Sequence, residues 1–528
     1  MNTTIQLSSI PEEERTPLVI QMFEITRLQA EEIQPLKDEI ARLKGHSERP
    51  TIKPSRLEKP KDTAKEKGSK SKRPGSAKRR KTEELEIHET LPVAPEEIPK
   101  DSIFKGYNDY TVQDLQIQPH NICYRLERWE TPEGDIIVGQ LPDSVKDCHF
   151  GPTLVGFIVY QYYHGHVTQP LLLEQLWEYG VDISAGQLSR LLIENKDAFH
   201  EEKDDLLATG LEVSRYVQVD DTGARHQGKN GYCTHIGNEW FAWFESTESK
   251  SRINFLTLLR AGRTDYVLNE DALAYVEGQG LAQKWFTVLQ CQGERIFADT
   301  SAWESFLQVE GICGKRVRQI VTEGALLGSV VHHGLPSGFI ILSDDAGQFN
   351  ILQHALCWVH AERALDKVVA YTKQEHVELE AVQDGLWTLY RDLKAYKDAP
   401  NEQTKVSLSA RFDELFTTTT HSESLTKVLQ RLYGNKAELL LVLEHPEIPL
   451  HNNGSENAIR EYVKRRKISG STRSEAGRRC RDTFTSLKKS CRKLGVSFWD
   501  YLLDRIGRNG KIPRLSEFIR QKAVSPGG

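Results

Sequence analysis

Two stretches of this sequence share a pattern. VSRYVQVDDTG (residues 213–223) places Val217 and Val219 before Asp220 and Asp221. GFIILSDDAG (residues 338–347) runs Phe339, Ile340, Ile341 and Leu342 into Asp344 and Asp345. Short runs rich in β-branched residues, bounded by Gly and Asp, read as strands. A strand that ends in acids at a turn delivers carboxylates to the rim of a sheet. The pattern occurs twice, so the chain is read as α/β with acids presented from two strands.

A third acid stands apart from these. HNNGSENAIR (residues 451–460) is polar, with a turn signal at Asn453-Gly454 and a helical continuation to Lys467. Glu456 opens that helix, which then becomes strongly basic through Arg460, Lys464, Arg465, Arg466, Lys467 and Arg473. A lone acid ahead of a basic run fits a metal ligand beside a grip on a polyanion. Two strand-borne aspartates and a helical glutamate are the hard oxygen donors that Mg²⁺ favours. Two such ions could activate a water or a 3′-hydroxyl and stabilise the leaving oxygen of a phosphodiester.

Charge is unevenly distributed. The 528 residues carry a net charge of −6, but the stretch from Lys53 to Lys81 holds 13 Lys/Arg against 3 Asp/Glu, which leaves −16 on the rest. A basic contact segment attached to an acidic body is one reading of that asymmetry. The 8 cysteines are dispersed, with no C-x-x-C, which fits reduced thiols in an intracellular protein. The N-terminus lacks a basic n-region and an apolar h-region, and no apolar run approaches the length of a membrane span. A soluble, cytoplasmic protein is expected.

Taken in order, Ile33, Leu36, Ile40 and Leu43 form a short 3-4-3 seam. It suits either a helix docked on its own body or one that self-associates. The Lys-, Pro- and Ser-rich stretch that follows, including Lys78, Arg79, Arg80 and Lys81, has too few apolar residues to repay ordering and reads as a flexible DNA grip. Next come short strands at residues 124–129 and 135–138. His120, Cys123, Cys148 and His149 lie around them, at a spacing that matches no closed zinc pattern. Residues 171–179, Gly180 and a helix capped by Ser184 suggest a helix-turn-helix, with Gln187 and Arg190 as contacts. Residues 232–235 and 240–244 read as a hairpin, and 252–259 as a third apolar run of the β-rich region. Residues 361–450 read as helical.

Several of these motifs resemble the insertion-sequence-66 family of transposases. VQVDDTGAR (residues 217–225) resembles its first-aspartate strand. ILSDDAGQF (341–349) with CWVHAER (357–363) resembles its second-aspartate strand and Cys-Trp-x-His-Ala helix. NNGSENAIREYVKRRKISGSTRSEAGRR (452–479) is similar to its glutamate helix and basic turn. The resemblance implies an RNase H-like catalytic core with a helical insertion and a DDE triad of Asp220, Asp344 and Glu456. The ligand set would hold Mg²⁺ or Mn²⁺, as two ions. Spacings of 124 and 112 residues leave room for the insertion before the glutamate helix. Asp344-Asp345-Ala346 is one residue shorter than the family's usual spacing, so Asp345 rivals Asp344. Asp299, in RIFADT, is set aside because no Cys-Trp-x-His helix follows it. The family's N-terminal module holds zinc on four cysteines, and this chain keeps Cys123 and Cys148 only.

The expected organisation is an N-terminal helix with coiled-coil character (1–45), a disordered basic linker (46–95), a small β module with degenerate zinc-binding features (96–150) and a helical DNA-binding module (151–210). The core's first part (211–360), the helical insertion (361–450) and the glutamate helix with basic C-terminal helices (451–528) follow. The implied function is a transposase that binds element ends, cleaves strands and transfers them to target DNA. It would work as a homo-oligomer in a synaptic complex, with accessory proteins as further partners, and would be nucleoid-associated when on DNA. Two rival readings use the same residues: an RNase H-like nuclease without strand transfer, and a non-catalytic DNA-binding accessory protein.

Overall fold

The computed structural model describes residues 86–142 and 149–524, together with Thr16 and Gln21. The N-terminal seam, most of the basic linker with Lys78, Arg79, Arg80 and Lys81, and Cys148 lie outside the described residues.

A small antiparallel pair comes first, β1 (Arg128–Glu130) with β2 (Ile136–Val138). The helical module follows. Gln169–Glu178 ends at Gly180, whose φ of +80° is the left-handed turn that glycine supplies at little cost. Ser184 then caps Ala185–Ile193 in a full capping box with Gln187, so that side chain is engaged in the cap.

The centre is a five-stranded mixed sheet in the order β5-β4-β3-β8-β9, made of β3 (Tyr216–His226), β4 (Lys229–Gly237), β5 (Ala242–Thr247), β8 (Ile340–Ser343) and β9 (Gln353–Leu356). β3, β4 and β5 are antiparallel, and β8 and β9 run parallel to β3. Both faces of the sheet are covered. Ile341 packs into one core with Val217 and Val219, while Ile340 and Leu342 face a second core built on the helices of residues 358–450. A strand buried on both sides needs a continuous apolar run, which explains why residues 339–342 show no alternation.

Between β5 and β8, the short strands β6 (Tyr266–Leu268) and β7 (Arg295–Phe297) pair only with each other. The apolar run at residues 252–259, expected in the β-rich region, is a helix instead (Arg252–Leu259). Ser251 Oγ accepts the Asn254 amide at its start, and Phe255, Leu256 and Leu259 fall on one buried face. Asp299 is also a helix cap, accepting the Ala302 amide at 2.9 Å.

The sheet's outer edge is closed in an unusual way. The helix Glu475–Leu494 lies along β5 and satisfies that strand's free amides with side chains. Asp482 Oδ2 accepts from Ser246 N at 2.8 Å, Ser486 Oγ from Phe244 N at 2.9 Å and Ser490 Oγ from Ala242 N at 3.1 Å. Four helical residues rise about 6 Å and two strand residues about 6.6 Å, so the two repeats stay in step over this length. An edge strand with free N–H groups invites pairing with another chain, and this stripe prevents it.

Candidate functional site

The first acid does not sit at a turn. β3 continues through Asp220, Asp221 and Thr222 to His226, paired with β4 throughout, and reverses only at Gln227-Gly228. β8 stops at Ser343. Gln218 of β3 is level with Leu342 of β8, and Asp344 is the first residue past the end of β8. Asp220 therefore lies where the sheet loses a neighbouring strand, which opens a notch with an acid on each side.

The glutamate helix, Asn453–Ser469, is fastened to that notch at its N-terminus. Asn452 Nδ2 donates to the Val219 carbonyl at 2.7 Å, and Gln218 Nε2 donates to the His451 carbonyl at 2.9 Å. Ser455 Oγ and His235 Nδ1 are 2.6 Å apart, and the Asn452 amide donates to Cys357 Sγ at 3.1 Å. Asn453 and Gly454 belong to the helix rather than to a turn preceding it. Gly454 is required for approach, because a Cβ there would stand 2.0 Å from Gln218 Oε1. Ala458, Ile459 and Tyr462 then bury against Cys233, Ala242 and Phe244.

Electrostatics link the three acids. The Asp220 carboxyl is pushed up to about 7, first by burial and then by the charge of Asp344, with Asp221 and Glu456 adding to it and the Asp221 amide opposing. Asp345 is absent from these influences. It is exposed, with Arg431 at 4.0 Å as its ionic neighbour. Asp344 Oδ1 accepts the Ala346 amide at 3.2 Å. Asp221 is engaged by Gln348 Nε2 at 2.7 Å. Asp344, Asp221 and Glu456 thus bear electrostatically on Asp220, and Asp345 does not.

Glu456 is not free. Arg363 grips both of its oxygens, Nη1 to Oε1 at 3.1 Å and Nη2 to Oε2 at 3.2 Å, and His360 Nε2 stands 3.9 Å from Oε1. Burial lowers the His360 imidazole, with Glu456 pulling the other way. Trp358 is a core residue whose Nε1 donates to the Leu439 carbonyl at 2.9 Å. Arg363 lay in the quoted CWVHAER motif without a role. Its position three residues after His360, on the same helical face, was the available signal. The anchors Gln218, Asn452 and His235 had no such signal.

The donor set suits a hard divalent ion in type, since it consists of three carboxylates, one of them the half-buried Asp220. Among the described residues, however, no group of three or more His, Cys, Asp and Glu side chains is close enough to hold a metal, and Glu456 is turned to Arg363. Of the residues whose spacing matches no closed zinc pattern, Cys123 is an exposed thiol.

The basic residues after Glu456 divide by exposure. Arg460, Lys464, Lys467 and Arg473 face solvent. Arg466 is half-buried and donates to the Gly223 carbonyl on β3. Arg465 is only 4% exposed and stacks over Tyr162 at 3.9 Å, and its two terminal nitrogens have no hydrogen-bond partner.

Fold and site define an α/β protein with a carboxylate notch beside a basic helical face. The model of the family described as "Transposase IS66 family" matches residues 331–479, which include Asp344, the CWVHAER helix and Glu456. The chain is also similar to the "Uncharacterized protein y4jO" of Sinorhizobium fredii (strain NBRC 101917 / NGR234), 44% identical over 321 residues that make up 60% of this chain and all of that relative. This chain belongs to the IS66 transposase family. No helix among the described residues is long and apolar enough to cross a membrane.

Proposed function

We propose that this protein is the catalytic transposase of a mobile element. It binds the element's ends, cleaves a strand to free a 3′-hydroxyl and joins that hydroxyl to target DNA. One observation carries the reading: Asp344 and Glu456, 124 and 236 residues further along the chain, both bear on the half-buried carboxyl of Asp220. An α/β sheet with covered faces and an acid notch at its centre supports an RNase H-like core.

In this reading Asp220, Asp344 and Glu456 hold the divalent ions, Mg²⁺ or Mn²⁺. When bound, these supply activation of the attacking oxygen and stabilisation of the leaving one. The chain's own contribution is placement. β3 carries Asp220 and β8 ends one residue before Asp344, while the Asn452 and Gln218 bonds tie the start of the glutamate helix to β3, which supports this reading. The solvent-facing Arg460, Lys464, Lys467 and Arg473 lie one or more turns beyond Glu456, where they can neutralise DNA phosphates. Work at two ends calls for more than one copy in a synaptic complex.

The test is Glu456→Gln. End binding is expected to survive while Mg²⁺-dependent cleavage vanishes, and cleavage at the normal rate would remove Glu456 from the triad. Supplying precut ends separates this function from a nuclease, because only a transposase joins them to target DNA.

A further inference from the structure

Building on the triad reading, we propose that Arg363 is a resident cation of the carboxylate notch, holding Glu456 in place of a divalent ion and giving it up as the ion binds. The helix Trp358–Asp366 is anchored independently of this pair. The Trp358 amide donates to the Leu450 carbonyl at 3.0 Å, and Trp358 Nε1 is tied to Leu439. Its exposed end therefore projects Arg363 at a fixed place, beside the start of the glutamate helix.

The guanidinium fork meets both oxygens of Glu456 at 3.1 and 3.2 Å. Such a fork uses the in-plane lone pairs of the carboxylate, the same ones a metal ion would take. A small divalent ion demands near-ideal placement of its oxygens. Glu456 cannot meet that demand while both oxygens are forked. The carboxylates of Asp344 and Glu456 both act unfavourably on a charged Asp220, and Arg363 supplies a fixed positive charge to one of them, Glu456. A bound divalent ion would supply more, and would also repel the guanidinium.

Arg363 is thus a positioning residue that competes with the ion for Glu456. The competition predicts a gain of affinity on its removal, whereas a static support would give a loss. Mn²⁺ binding to the full-length protein without DNA, followed by calorimetry and by the spin signal of free Mn²⁺, reads this directly. R363Q is expected to bind Mn²⁺ about tenfold more tightly than the unmodified chain, and R363Q/E456Q to show no such gain. R363K keeps the charge but loses the fork, and is expected to tighten binding by a few-fold. It carries the test if R363Q fails to fold in a thermal melt with chelator present. Unchanged or weaker Mn²⁺ affinity in the folded variant would overturn the proposal. E456Q that binds Mn²⁺ as well as the unmodified chain is a different failure, one that overturns the triad reading itself.

Discussion

The Asn452 side chain donates to the Val219 carbonyl at 2.7 Å, one residue before Asp220 on the central strand. That bond joins two segments 233 residues apart, and it sets where Glu456 stands relative to the aspartates. Both groups are buried, so the bond cannot be replaced by water. Asn452→Ala is expected to destabilise the protein by about 1–2 kcal/mol and to lower strand cleavage more than end binding. Chemical denaturation and a cleavage assay on the same preparation check both halves. Normal cleavage in a destabilised protein would mean that the bond holds the fold but not the site.

Gly454 tests the same junction sterically. A Cβ at that position would stand 2.0 Å from Gln218 Oε1, which shares a side chain with the Gln218–His451 hydrogen bond. Gly454→Ala is expected to break that bond and move the helix start, at a cost of about 1–3 kcal/mol. Gly454→Ala combined with Gln218→Ala should recover part of the loss. Additive losses in that double variant would show that the clash is not the cause.

The edge stripe on β5 makes a separate prediction. Ser486→Ala leaves the buried Phe244 amide without its acceptor, and Ser490→Ala does the same to Ala242. Each is expected to destabilise by about 1–3 kcal/mol, with little effect on cleavage by the protein that remains folded. Ser→Val substitutions, which fill the space without restoring the acceptor, should not recover stability.

The basic face predicts a contrast between neighbours. Lys464→Ala and Lys467→Ala are expected to weaken end binding, each lowering the salt slope of binding by roughly one as one phosphate goes unneutralised, with an unchanged melting temperature. Arg465 is buried at 4% exposure and stacks over Tyr162, so Arg465→Met should change the melting temperature and leave the salt slope of binding as it was. Salt-dependent binding isotherms and thermal melts on the three variants decide the matter.

Acid stability follows from His200. Its imidazole is lowered to about 4, first by burial and then by Arg479, and its Nδ1 is 2.7 Å from Thr483 Oγ1. In the unfolded chain it takes its proton near 6.5. Between those values the unfolded state binds more protons, so stability is full above about pH 6.5 and falls as the pH drops toward 4. The loss from this group is as much as about 3 kcal/mol at the acid end. His354, lowered to about 4 by burial, adds in the same direction. His200→Gln should flatten the pH dependence of the denaturation midpoint between pH 4 and 6.5. An unchanged slope would show that other groups govern it.

Local pattern alone was enough for much of this protein. The apolar run ahead of Asp344, the hairpin after Gly228, the Ser184-capped helix and the helix carrying Glu456 all rest on periodicity and caps, which act over a few residues. The same reasoning missed at residues 252–259, where a continuous apolar run fits a strand or a buried helix equally and the Ser251 cap decides. It also gave Asp220 a turn that β4 pairing abolishes. What tertiary structure decided is which groups meet. Asp344 rather than Asp345 bears on Asp220 because β8 ends at Ser343, one residue before Asp344. Glu456 is forked by Arg363 because the glutamate helix, tied to β3 through Asn452, meets the Trp358–Asp366 helix, tied to the Leu450 carbonyl. Arg465 is buried among exposed neighbours because the helical module covers it with Tyr162. Such facts depend on pairings between residues tens to hundreds of positions apart, which no local period encodes.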